Sequence, residues 1–129
     1  MYAFTADVAL PMDQAIARLK ELLMAEKLGV VSEVDVQAIM KAKLDHDMPA
    51  YKMLGVCGPG HAKRVLKADA NLGAMLPCGC AVFDLGGGKT RIALQNPDTV
   101  AAVTDNAAVK ATLAEARAAL ERVAQQLAG

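Results

Sequence analysis

The chain has no tryptophan, and its two tyrosines and two phenylalanines bring the aromatic share to only 3%. A core without large rings has to be assembled from Ala, Val, Leu, Ile and Met, which are small or flexible fillers. Charge of one sign is also missing: 14 Lys and Arg stand against 14 Asp and Glu, and no basic run breaks the balance. This removes the clustered basic face that nucleic-acid binding needs, and no nucleic-acid partner is expected. No apolar run approaches the roughly 20 residues of a membrane helix, so no membrane partner is expected either. The N-terminus lacks a basic start leading into an apolar stretch, which points to a cytoplasmic protein. No Ser/His/Asp arrangement and no paired carboxylates are visible, and the reading leans away from an enzyme.

What is present is apolar. Hydrophobic residues make up 54% of 129 residues, enough for one domain spanning residues 1–129 to bury a core without staples. Residues Tyr2 to Ala9 alternate loosely and read as a strand. Pro11 suits the first position of a helix running to about Lys27, with Ile16, Leu19, Leu22 and Leu23 at helical spacing. Leu28 to Val34 reads as a strand, and Asp35 as the N-cap of a short helix through Leu44. Ala50 to Val56 is the next strand, Gly58-Pro59-Gly60 a turn, and His61 to Ala68 a helix.

Cys80 to Leu85 and Thr90 to Leu94 flank Gly86-Gly87-Gly88-Lys89, a hairpin signal. The Gly-Lys-Thr there is no phosphate loop, because Phe83 occupies the earlier glycine position and a strand, not a helix, follows. After Asn96-Pro97 a loosely structured approach leads into a long helix from about Asn106 to Leu127. The sum, about five strands with two long helices and no strict βαβ alternation, fits an α+β fold with a largely antiparallel sheet.

The chemistry-bearing residues are the three cysteines, in Val56-Cys57-Gly58-Pro59-Gly60-His61 and Leu76-Pro77-Cys78-Gly79-Cys80-Ala81. In a reducing compartment an odd set of three reads as free thiols, ligands or redox groups rather than disulfides. On a strand, Cys78 and Cys80 point to one face. Cys57 lies just before a helix start near Gly60, where partial positive charge is expected to lower a thiol pKa. His61 falls in the first turn of that helix. Three sulfurs and one imidazole would complete a tetrahedral zinc set, and two or three sulfurs suit copper(I). The competing reading is plain packing, because free cysteine often behaves as a small buried hydrophobe. His46, between Asp45 and Asp47, reads as a solvated loop residue, and the seven scattered methionines as core filling.

Taken in order, Gly29-Val30-Val31-Ser32-Glu33-Val34-Asp35-Val36, Tyr51-Lys52-Met53-Leu54-Gly55-Val56-Cys57, Pro59, Ala62, Leu66, Asp69, Gly73, Leu76-Pro77-Cys78 and Asn96-Pro97 resemble the bacterial and archaeal family called domain of unknown function 302. The resemblance spans nearly the whole chain. It implies a TATA-binding-protein-like fold, a curved antiparallel sheet with helices packed on one face, and a homodimer. It implies no activity. Cys57 and Cys78 match the family pattern and Cys80 does not, while Lys27 and Leu28 stand where Gly-Phe is common. The functional expectation is therefore a small thiol-bearing protein, binding a soft metal such as zinc or copper or taking part in sulfur or redox chemistry through Cys57 and Cys78. The alternative is a non-catalytic dimeric module for a small-molecule or protein ligand.

Overall fold

A computed structural model describes residues 1–129. The chain runs β1 (Ala3–Val8), α1 (Met12–Ala25), β2 (Gly29–Asp35), α2 (Val36–Leu44), β3 (Tyr51–Cys57), α3 (Pro59–Ala68), a 3-10 segment (Ala70–Met75), β4 (Cys78–Gly86), β5 (Lys89–Gln95), α4 (Asp98–Ala101) and α5 (Ala107–Ala128). The five strands form one open sheet in the order β1-β5-β4-β3-β2, antiparallel at every pairing. This is an α+β architecture with β1 and β2 as its free edges.

Local chemistry sets the boundaries. Asp35 accepts a hydrogen bond from the Ala38 amide and starts α2, and Asn106 does the same for Val109 at the head of α5. Gly86, Gly87 and Gly88 all have positive φ, which lets β4 and β5 join through a tight hairpin.

Several expectations need correction. Pro11 is the extended residue before α1 rather than its first helical residue. Gly58-Pro59-Gly60 is not a free turn: Gly58 caps α3, and Pro59 opens it, where a missing N–H costs nothing. β4 begins at Cys78, ahead of the expected Cys80. The approach after Asn96-Pro97 holds the one-turn α4, where the Asn96 side chain accepts from the Asp98 amide and the Thr99 hydroxyl donates to the Asn96 carbonyl.

Alternation along the strands sends one set of side chains under the helices. Phe4, Ala6, Val8, Leu54, Val56, Cys80, Val82, Ile92 and Leu94 meet Ala15, Ile16, Leu19, Leu22 and Leu23 of α1 and Ala119, Leu120, Val123 and Leu127 of α5. Each large aliphatic buried in such a core contributes about 1.5–3 kcal/mol. A smaller cluster, Val65, Leu72, Val100, Val109 and Leu113, ties α3 and the 3-10 segment to α5. The opposite sheet face carries cross-strand rows such as Val34, Met53, Ala81, Ala93 and Thr5, with Tyr51 stacked on Phe83 beside them. No helix is long and apolar enough to cross a membrane.

Candidate functional site

β3 and β4 are neighbours, with Val56 opposite Cys78 and Leu54 opposite Cys80. That register leaves Cys57, the last residue of β3, one position past the Val56–Cys78 pair and diagonal to Cys78, the first residue of β4. Both line one small, mostly apolar cavity of about 40 Å3, closed by Leu28, by His61 and Val65 of α3, and by Leu113, Ala116 and Leu120 of α5. The volume suits one to three water-sized groups. Cys78 is buried, while Cys57 and His61 keep partial exposure.

Glycines make this convergence possible. A β-carbon on Gly58 would stand 2.5 Å from His61 Nδ1 and 2.7 Å from Leu28 Cδ2, so the imidazole packs directly on the bare α-carbon. A β-carbon on Gly55 would meet the Ser32 side chain and stand 2.5 Å from the Pro77 ring. Pro77, which follows a cis Leu76–Pro77 peptide, therefore rests on β3 and delivers Cys78 to the start of β4.

Cys80 separates from the other two. Its side chain lies on the same sheet face as Cys78, but it sits in the main core, 4% exposed, and does not line the cavity. The four-residue set of Cys57, Cys78, Cys80 and His61 is thus divided: three members share the cavity and Cys80 packs among aliphatic side chains. No group of three or more His, Cys, Asp or Glu side chains is arranged to hold a metal ion.

Electrostatics at the thiols also differ from the expectation that a helix start would acidify Cys57. Burial raises the Cys57 pKa, and burial followed by the charge of Cys57 raises that of Cys78. Burial pushes Cys80 up to about 12. With desolvation raising both cavity cysteines, at neutral pH the site presents neutral thiols rather than a nucleophilic thiolate.

On its other side His61 faces a second, charged cleft of about 380 Å3, lined by Glu26, Lys27, Gly60, Arg64, Glu115, Ala119 and Arg122. His61 Nε2 stands 3.7 Å from Glu115 Oε2, which also accepts from Arg64. Arg122 donates through Nε and Nη2 to both oxygens of Glu26, at 2.9 and 2.7 Å. The Arg64 hydrogen bond holds the Glu115 carboxyl below the usual carboxylate range, and the Arg122 hydrogen bond does so for Glu26. Sequence reasoning missed this cleft. Its charges come from the two residues after α1, from α3 and from α5, and only the salt-bridge chemistry of each segment's surface, not its partner, is written in the local pattern. His46 is an exposed loop residue, flanked by Asp45 and Asp47, which both pair with Lys41.

The sequence profile of the family described as "Domain of unknown function DUF302" matches residues 4–127. Among solved structures, the chain is similar to an uncharacterized conserved DUF302 protein from Bacillus stearothermophilus, with 28% sequence identity, 98% of each chain covered and a TM-score of 0.86. No functionally curated protein matches it.

Proposed function

Because the chain belongs to the DUF302 family, whose description assigns no activity, its own side chains have to supply the reading, and we propose that it binds a soft monovalent cation, copper(I) in its chemical class, between Cys57 and Cys78. The observation that carries this reading is the shared cavity: cysteines from adjacent strands both line one small apolar space with His61 on its wall, and the charge of one acts on the other. Soft thiolates select copper(I). Two of them satisfy a monovalent soft ion, whereas zinc asks for four ligands. Binding exchanges protons for metal: two neutral thiols and one cation give a bis-thiolate complex of charge −1 and two released protons. His61, half-buried on the same wall, is the nearby base through which a proton can leave. The setting is a reducing compartment such as the cytoplasm, which keeps both sulfurs as thiols.

The test is a titration of the reduced protein with silver(I) or copper(I) against a competing chromophoric chelator. One ion per chain is expected, lost in Cys57→Ser and in Cys78→Ser and retained in Cys80→Ser. Because both cavity thiols start protonated, the apparent affinity rises up to about 100-fold per pH unit through neutral pH. Equal binding by wild type and the Cys57→Ser/Cys78→Ser double variant ends this reading.

A second reading concerns assembly. The uncovered sheet face exposes Met53 by 51% and Val34 by 41%, next to the stacked Tyr51 and Phe83. Beside it stands the ion pair of Asp7 with Arg91, opposite charges that a two-fold copy of the same face can pair in reverse. We therefore propose a second copy of this chain as the occupant. Sedimentation velocity should give a dimer that Met53→Glu converts to monomer. A wild-type chain that still sediments as a monomer at the highest concentration measured rejects it.

A further inference from the structure

His61 belongs to two spaces at once, the thiol cavity and the charged cleft on the far side of α3 and α5. The cleft has the volume of a small-ligand site rather than of a surface scratch. Its cations are not used up by its anions. Arg64 spends only Nη2 on Glu115, and Arg122 leaves Nη1 free when it grips Glu26. Lys27 makes no salt bridge at all. Glu115 accepts from Arg64 through Oε2, which leaves Oε1 open to a donor. Carboxylate-binding and ammonium-binding groups thus stand together around one opening.

Lys27 adds an independent observation. It is held at φ +60°, a left-handed conformation that glycine adopts freely and a lysine does not. The backbone there would be more comfortable with glycine. The residue present instead puts an unpaired ammonium-bearing side chain on the wall of the cleft. A locally unfavourable residue at the edge of a cavity is where function and stability part company.

We propose that the cleft receives a small zwitterionic thiol, an amino-acid or short-peptide thiolate carrying the soft cation, and that the cation passes across His61 to Cys57 and Cys78; this rests on the soft-cation reading above. The carrier's carboxylates meet Lys27, Arg64 and Arg122, and its ammonium meets Glu115. The transfer is a ligand exchange without electron transfer. A neutral carrier–sulfur–metal unit and two protein thiols give the protein bis-thiolate complex of charge −1, the carrier as free thiol, and one proton. One sulfur–metal bond breaks and two form.

The experiment uses metal-free S-methylglutathione, a zwitterionic peptide with two carboxylates and a blocked sulfur, titrated into the reduced full-length chain and followed by calorimetry and by amide chemical shifts. Saturable binding is expected, with shifts at Gly60, Arg64 and Glu115. Lys27→Gly should weaken it about tenfold while its melting temperature stays equal or rises, and Lys27→Arg should retain it. Inorganic phosphate at matched ionic strength should not displace the probe. No binding by wild type, equal binding by Lys27→Gly, or displacement by phosphate each overturns the proposal. Failure here is distinct from failure of the cation reading, because the probe contains no metal and cannot reach the thiols covalently. Free silver(I) binding in Lys27→Gly should match wild type.

Discussion

The imidazole of His61 rests on the α-carbon of Gly58, close enough that a β-carbon there would approach Nδ1 to 2.5 Å. Leu28 crowds the same spot from α1's exit, at 2.7 Å. Gly58→Ala therefore has to displace the ring, the leucine or the start of α3. The expected cost is about 1–3 kcal/mol, the range for overpacking a closed site. Urea denaturation measures it, and the His61 ring resonances should move. A variant as stable as wild type with unmoved resonances would show that the ring does not depend on the missing side chain.

Gly55→Ala should behave similarly from the other strand face. Its new methyl meets Ser32 and the Pro77 ring, which stands directly ahead of Cys78. A loss of about 1–3 kcal/mol is expected. Cys78 should also become easier to alkylate, because Pro77 can no longer lie flat on β3. Native-state iodoacetamide labelling with peptide mapping reads the second effect.

Stability should fall in strong base, and the sign follows from burial. Folding raises the Cys80 pKa to about 12, against about 8.5 in an unfolded chain. The folded state thus holds a proton that the unfolded state has released between these limits. The stabilisation is complete below about pH 8.5 and is lost as pH rises toward 12, at up to about 1.4 kcal/mol per pH unit. Cys57 and Cys78 add in the same direction, since burial raises both. Denaturant midpoints from pH 8 to 11 test this, and Cys80→Ala should flatten the slope.

Lys27→Gly should stabilise the fold. A lysine at φ +60° gives up about 1 kcal/mol that glycine would not. Glycine loses part of this gain through its freer unfolded chain, so a rise of a few tenths to about 1 kcal/mol is expected. Thermal denaturation decides it, and a clear destabilisation would mean that the side chain makes contacts that outweigh its backbone.

The strands and the two long helices were legible because their signals are local. Ile16, Leu19, Leu22 and Leu23 repeat at helical spacing, and the same residues are buried on α1. Asp35 and Asn106 are caps that need no distant partner to be recognised. At the start of α3 the glycines flanking Pro59 give the signal of a turn, although proline is at home in a first helical turn. For the site, Cys57 and Cys78 were visible as candidates; the β3–β4 register makes them diagonal neighbours, and the cavity they both line is completed by Leu28, α3 and α5. The direction of their pKa shifts was not legible. It depends on how many aliphatic groups from α3 and α5 close over the sulfurs, a fact of packing that no spacing in the sequence contains. Cys80 looked equivalent to Cys78 because both alternate to one face, yet the step of two positions along the strand carries it from the cavity wall into the middle of the core.

One helix serves both chambers. α5 turns Ala116 and Leu120 toward the sulfurs and Glu115, Ala119 and Arg122 toward the ionic recess. A rigid rod of this kind cannot slide or roll for one neighbour alone: any guest that levers it outward from the polar side also changes the room left around the thiols. Were both flanks occupied, any such coupling would have to run equally in both directions.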